Sequence, residues 1–373
     1  MNIYLDHAAT TPLNKEVAEL MFDISLSHFG NPSSTHSFGR KSKSLLEFNR
    51  KSVAENLGAL PSEIYFTSGG TESNNHVLRM CVENLGVKTI ISSKIEHHAV
   101  TLTLEDLEKN RNTTVLFVQI KENGHIDLMH LEQLLKENNN VLVSLMHVNN
   151  EIGNILDIVT VGTLTQKHQA LFHSDMVQSI GILPINFGDL NIDFASGSAH
   201  KFNGPKGVGV LYCKKKNKLK PLITGGSQER DLRAGTENIS GIAGLTKALD
   251  ISTKKYADKK AKIETIKQYF ISKIESDLPD IKFNGDYKQN SSYTILSIAL
   301  PPTIENGMLL FNFDLNGISV SGGSACSSGS SKGSHVFQEL NQHIGYSPIR
   351  FSFGETSTQE EIDFVIDFIK TLF

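Results

Sequence analysis

Over the first 250 residues, short apolar runs alternate with longer amphipathic stretches. The runs are Ile64–Thr67, Thr89–Ser92, Thr114–Val118, Val141–Met146, Ala170–Ser174, Asp193–Ser196 and Val208–Cys213. Runs of this length separated by helix-length segments predict βα units and a largely parallel sheet covered by helices, an α/β fold. Beyond about residue 250 the pattern changes. Ile263, Ile266, Phe270 and Ile274 mark one apolar face of a long helix. Antiparallel strands are expected at Tyr293–Leu300 and Ser347–Phe353. A closing helix is announced by Thr358 and Glu361, spaced as a capping box ahead of Ile362, Val365, Ile366 and Ile369. The glycine- and serine-rich stretch Ser321–Ser334 is the one long segment whose composition predicts mobility.

The 373 residues bury a large core and suggest about two domains. At 39% hydrophobic and 20% charged, the composition is that of an ordinary globular protein. A net charge of −4 gives no reason to expect nucleic-acid binding. The basic group Lys214, Lys215, Lys216, Lys218 and Lys220 follows a strand and reads as a solvated turn. No apolar run approaches the ~20 residues of a membrane span. The first residues lack the charged and apolar regions of a signal peptide. Three cysteines, Cys81, Cys213 and Cys326, make neither a disulfide framework nor a zinc spacing. A reducing cytoplasm is therefore expected, with no metal site; adjacent His97 and His98 point to different sides.

Several strings carry candidate chemistry. Lys201 lies in Ser196-Gly197-Ser198-Ala199-His200-Lys201, where small neighbours leave room for a bulky group and Ser198 and His200 offer hydrogen bonds to an anion. Asp175 closes the apolar run before it. A lysine amine, an anion cradle and a distant carboxylate are what pyridoxal phosphate requires; the plainer reading of this string is a surface turn after a strand with Lys201 solvated. Thr67-Ser68-Gly69-Gly70-Thr71-Glu72-Ser73-Asn74 runs from strand to helix and suits phosphate, or else is a plain helix cap. His147–Gly153 follows another strand, where Asn150 could reach a ligand. Four strand ends converge in this way on one small-molecule site. Cys326 stands among Gly, Ser and Ala rather than in apolar surroundings, as an exposed reactive thiol or a tolerated loop residue. Arg350 alternates with Ile349 and Phe351; its fork suits a substrate carboxylate or simply a strand surface, and spacing does not separate the two.

Taken together these strings closely resemble the cysteine desulfurases, class V members of the fold-type I pyridoxal-phosphate enzymes. The resemblance runs nearly end to end, through Tyr4–Pro12, Gly30–Ser34, Thr67–Asn74, Glu96-His97, Met146–Gly153, Asp175–Gly181, His200-Lys201, Arg233–Thr236 and Ser324-Ala325-Cys326. The cysteine loop resembles that of the NifS/IscS type, which serves iron–sulfur assembly.

What the resemblance implies can be stated residue by residue. Lys201 would carry the cofactor, Asp175 would hold its ring nitrogen and His97 would stack on the ring. Gly70, Thr71, Ser198 and His200 would bind the phosphate, with Thr236 donated by the second subunit of a homodimer. Asn150 and Gln178 would contact ring substituents, Asn31 and Arg350 would hold the substrate carboxylate, and Cys326 would be the nucleophile. Residues 15–250 would form a large cofactor-binding domain. Residues 1–14 plus 251–373 would form a smaller α+β domain carrying the cysteine loop. L-cysteine would become L-alanine, with sulfur passing as a persulfide to an acceptor such as an iron–sulfur scaffold protein. Two departures bear on that last step: Ser331-Lys332-Gly333-Ser334 replaces the family's Leu-Glu-Pro-Ser, and the chain stops at Phe373 without the tail of some relatives. An aminotransferase or kynureninase-like lyase would not need the loop thiol. A non-catalytic scaffold would have lost Lys201, Asp175 or His97, and all three are present.

Overall fold

The computed structural model describes residues 2–302, 308–323 and 334–372. In chain order its elements begin with β1 (Ile3–Tyr4), α1 (Lys15–Ser27), α2 (Ser37–Asn56), β2 (Ile64–Thr67), α3 (Gly70–Glu83), β3 (Thr89–Ser92), α4 (His98–Arg111) and β4 (Thr114–Phe117). There follow α5 (Leu128–Glu137), β5 (Val141–Ser144), α6 (Ile158–Lys167), β6 (Leu171–Asp175), β7 (Phe194–Ser198), β8 (Gly209–Cys213) and α7 (Ile239–Lys254). The last third holds α8 (Tyr256–Asp277), β9 (Lys282–Phe283), β10 (Ile295–Leu300), α9 (Leu309–Leu315), β11 (Ile318–Ser319), α10 (His335–Leu340), β12 (Ser347–Ser352) and α11 (Gln359–Lys370).

The seven strands of the main sheet run in the order β2-β8-β7-β6-β5-β3-β4. β8 is antiparallel to both neighbours, and the remaining pairs are parallel. Strands covered on both faces need no alternation, so β3 (Thr-Ile-Ile-Ser) and β5 (Val-Leu-Val-Ser) are buried at every position. β4, at the sheet edge, is half exposed. Helix starts follow side-chain chemistry: Asn14, Asp127 and Asp157 each accept a backbone N–H at the head of α1, α5 and α6. The capping box expected at Thr358 and Glu361 forms at α11.

Two shifts of boundary matter for the site. β6 extends to Asp175 and β7 to Ser198, beyond the expected ends at Ser174 and Ser196. The antiparallel partner β8 explains the second: it continues the ladder through Gly197↔Val210 and Ser198↔Gly209. A polar strand end survives because its backbone is still paired.

One core fills the space beneath α1, α2, α6 and α7 and another lies under α3 and α4. A separate cluster joins Ile3 and Leu5 to Phe270, Ile298, Phe351 and Ile366 around a three-stranded sheet in the order β12-β10-β9. β1 pairs in parallel with β11, so the N-terminus is tied to the last third of the chain. α7 runs through residues 250 and 251, and its buried face belongs to the main-sheet core.

Candidate active site

Parallel strands deliver side chains at their carboxyl ends, and here β6 and β7 deliver Asp175 and Lys201. Asp175 is 5% exposed. Its Oδ2 accepts from Asn74 Nδ2 of α3 at 2.5 Å, and its Oδ1 accepts from the Val177 amide at 3.0 Å. Both oxygens are therefore oriented before any ligand arrives. Lys201 ends the single turn after β7, and its Nζ donates to the carbonyls of Ala8 (2.5 Å) and Ala9 (2.9 Å). Gln178 Nε2 donates to the same Ala8 carbonyl, and His200 Nδ1 meets Thr10 Oγ1 at 3.1 Å. The N-terminal segment is thus stitched across the lysine turn.

At the other end of the cavity β2 passes into α3 through Gly69 and Gly70. Gly69 has φ 155° with ψ −176°, a conformation essentially confined to glycine. A Cβ on Gly70 would collide with the Val177 Cγ2 methyl, so any side chain there would push Val177 out of place. No side chain caps α3 at Gly69, and the first amides of a helix have no acceptor within it. With Thr71, Ser198 and His200 lining the same cavity, these amides form a cradle for an anion.

His97 caps α4, its Nδ1 accepting the Ala99 amide at 3.1 Å. The neutral ring therefore carries its proton on Nε2. Burial lowers the His97 pKa, opposed by the Asp175 charge and assisted by Lys201. Burial, with Lys201 and Lys206, lowers that of His200 to about 4, leaving its ring neutral at physiological pH. Behind His97 lies Glu96, 1% exposed, whose Oε1 accepts from Ser93 Oγ and the Met146 amide. Burial raises its pKa to about 8, so the carboxyl is protonated at neutral pH.

The remaining wall comes from β12. Arg350 is 1% exposed, its Nη2 donating to Asp6 Oδ1 at 2.7 Å and its Nη1 to the Asn150 carbonyl at 2.8 Å. Ser321 Oγ donates to the same Asp6 oxygen. Arg350 Nε is buried without an acceptor. Of the two placements compatible with its spacing, the surface one is overturned by this burial, on a strand that pairs Arg350 with Ser297 of β10.

One cavity is lined by Gly70, Thr71, His97, Asn150, Asp175, Gln178, Ser198, His200, Lys201 and Arg350. Asn31 is not brought there; it is exposed, with its Oδ1 accepting the Ser33 amide in its own loop. Thr236 lines a different, small cavity beside Ser68, Arg233 and Gly235. Cys326 lies outside the described residues. Asn74, Asp6 and Glu96 had no role in the sequence reading, although each lies in a string quoted there. Nothing local distinguishes a buried carboxylate partner from a helix or loop polar residue.

Residues 3–365 match the aminotransferase class-V family. Among curated relatives, the cysteine desulfurase IscS of Dictyoglomus turgidum is 40% identical over 99% of this chain and 94% of its own length. The putative cysteine desulfurase IscS 1 of Bacillus subtilis is 41% identical over 96% and 95%. A solved NifS-like protein superposes with a TM-score of 0.91 at 34% identity, covering 100% of this chain and 99% of that one. SspA, solved in complex with cysteine, superposes with a TM-score of 0.81 at 32% identity over 95% and 100%. With this coverage at both levels, the chain belongs to the aminotransferase class-V family, in its cysteine desulfurase group of the IscS/NifS type.

Proposed function

We propose that this protein is a pyridoxal-phosphate-dependent cysteine desulfurase. It converts L-cysteine to L-alanine and carries the released sulfur as a persulfide on Cys326, for iron–sulfur cluster assembly or another sulfur-transfer pathway. The observation that carries the reading is the convergence of Lys201, Asp175 and Arg350 on one cavity in a chain of this family.

The cavity's donor set fits the cofactor. Asp175 is a buried carboxylate held on both oxygens, suited to a protonated ring nitrogen. The amides of Gly70 and Thr71, with the side chains of Thr71, Ser198 and His200, suit a phosphate. His97 offers a ring face, and Asn150 and Gln178 offer amides to ring substituents. Bound there, pyridoxal phosphate supplies an electron sink for the Cα of an amino acid.

The chain's own residues divide the remaining work. Lys201 would anchor the cofactor, and its Nζ, once free, would be the base that removes the Cα proton. Arg350 holds the substrate carboxylate; its buried Nε–H lacks an acceptor that a carboxylate would supply. Asn31, exposed in its own chain, would join this contact only from elsewhere in the assembly. The Cys326 thiolate forms a bond to the substrate sulfur while the Cβ–S bond breaks. The electron pair stays on carbon, which takes up a proton to give the alanine methyl group.

A homodimer accompanies this reading, with Thr236 lent to the partner's phosphate site. Phe22 and Leu26 on α1, Phe29 in the loop after it and Phe38 at the start of α2 support it as exposed apolar side chains. We also read residues 15–250 as the large domain and 1–14 plus 251–373 as the small one, on the separate core cluster around Ile3, Phe270 and Phe351. A cytoplasmic setting is supported by the buried free thiols Cys81 and Cys213. Among the described residues no helix is long and apolar enough to cross a membrane.

The test is direct. Purified protein given L-cysteine and a reductant should change its visible absorbance and release alanine and sulfide in equal amounts. Alanine without sulfide, or keto acid instead of alanine, would replace the reading with another reaction of the class.

A further inference from the structure

Three successive non-glycine residues, Glu229 (φ 46°), Arg230 (φ 56°) and Asp231 (φ 65°), take left-handed backbone conformations. Side chains resist that region, so such a run persists only where its surroundings over-determine it. Here the restraint is a buried ion pair. Arg50 of α2 and Glu229 are both almost fully buried, joined by Nη1–Oε2 at 2.7 Å and Nη2–Oε1 at 2.9 Å. Arg50 Nη1 also donates to the Ile64 carbonyl, and Glu229 Oε2 accepts the Phe66 amide at 2.8 Å. The fork thus clamps the turn to β2, the strand that leads into Gly69 and Gly70. Directly after the turn come Arg233, bonded to Glu72 in the first turn of α3, and the exposed Thr236. Glu229 and Thr236 line the same small cavity.

We propose that the Arg50–Glu229 pair is a positioning device, holding the strained turn so that the arm 233–236 is presented in fixed geometry to the phosphate site of the partner subunit. The inference rests on the dimer reading above, in which Thr236 serves the neighbouring site. Arg50 touches neither substrate nor cofactor and acts through the arm. A lysine at position 50 keeps the charge and loses the two-point fork.

The experiment uses cofactor retention and mixed dimers. Arg50→Lys should weaken pyridoxal-phosphate binding, read by visible absorbance on titration, about tenfold, the order for one charge-assisted contact. Far-ultraviolet circular dichroism should stay unchanged. Thr236→Ala should do the same, and Arg50→Lys/Thr236→Ala should be no worse than Thr236→Ala, because both act through one contact. Co-expressed with Lys201→Ala chains, Arg50→Lys should recover the activity of wild-type/Lys201→Ala mixed dimers, since the intact arm comes from the Lys201→Ala chain. Recovery by Thr236→Ala but not by Arg50→Lys overturns the present inference and leaves the dimer reading standing. Recovery by neither overturns the dimer reading itself. Should Arg50→Lys fail to fold, Glu229→Gln repeats the series, and failure of both to fold makes the pair a folding element only and overturns the proposal.

Discussion

The two walls of the cavity are built differently. The wall of Asp175, Ser198 and Lys201 comes from the ends of two adjacent strands, hydrogen-bonded to each other along β6 and β7. The wall of Arg350 depends on Asp6, 344 residues away in the chain, and on a main-chain carbonyl at Asn150. A wall made from neighbouring strand ends inherits the rigidity of the sheet. A wall made from distant segments holds only while the smaller sheet, β1 and the N-terminal turn stay docked. On the function proposed above, cofactor geometry is fixed by the sheet, whereas substrate geometry is adjustable through packing of the segments around the smaller sheet.

The largest expected effects fall on the chemistry itself. Lys201→Ala should lose about 10³-fold or more in turnover, the upper part of the range for a positioned acid–base group. Borohydride should no longer fix the cofactor to the chain. Cys326→Ala should be similarly inactive in sulfide release, yet still show the absorbance change on adding L-cysteine. Mass spectrometry of cysteine-treated wild-type protein should find about 32 Da, one sulfur atom, on the Cys326 peptide.

Next comes the comparison between walls. Asp175→Asn should reduce kcat roughly 100-fold, because an amide cannot replace a buried charge-assisted partner. Asp6→Asn should act mainly on KM for L-cysteine, raising it about tenfold, as Arg350 loses the partner that orients it. The double variant should be close to additive in free energy if the walls are independent. Strong non-additivity would break the contrast between them.

A smaller, pH-dependent effect is expected at Glu96. Its folded pKa, about 8, lies above its unfolded value. The neutral acid favours folding fully below pH ~4.5, and that advantage drains away as pH rises towards 8. Glu96→Gln keeps an acceptor for Ser93 and the Met146 amide without a titrating proton. Its Tm should match wild type near pH 4.5 and exceed it increasingly up to about pH 8. A constant difference across that range would mean that Glu96 is ionised in the fold.

The smallest effects on activity belong to the other thiols. Burial raises the Cys81 pKa well above the usual thiol range and that of Cys213 to about 12. Neither supplies thiolate at neutral pH, so Cys81→Ala and Cys213→Ala should keep nearly full activity. Persulfide on either residue would contradict this.

Much of this arrangement was readable from the chain. The strand runs and the helix through Ile263 and Ile274 follow from periodicity, and the Gly69-Gly70 passage from its residue types. Ten of the proposed site residues do share one cavity. What a linear reading left open or passed over has physical causes. Asn31 is held in its own loop by the Ser33 amide, a contact that spacing does not reveal. Arg350 was ambiguous because alternation on a strand does not say which face is covered. Asn74 was quoted only within a phosphate-binding string, yet its amide reaches across from α3 to Asp175.

By itself, then, the sequence determined the alternation of elements, the glycines where backbone meets ligand, and the reactive side chains at strand ends. These depend on local period and residue type, which a linear reading carries. Only the tertiary structure decided the partners: Asn74 with Asp175, Asp6 with Arg350, Arg50 with Glu229, and Ala8 with Lys201. Pairings across 101 to 344 residues arise when packing excludes water and buried polar groups must find one another. That requirement belongs to the folded interior and leaves no periodic trace along the chain.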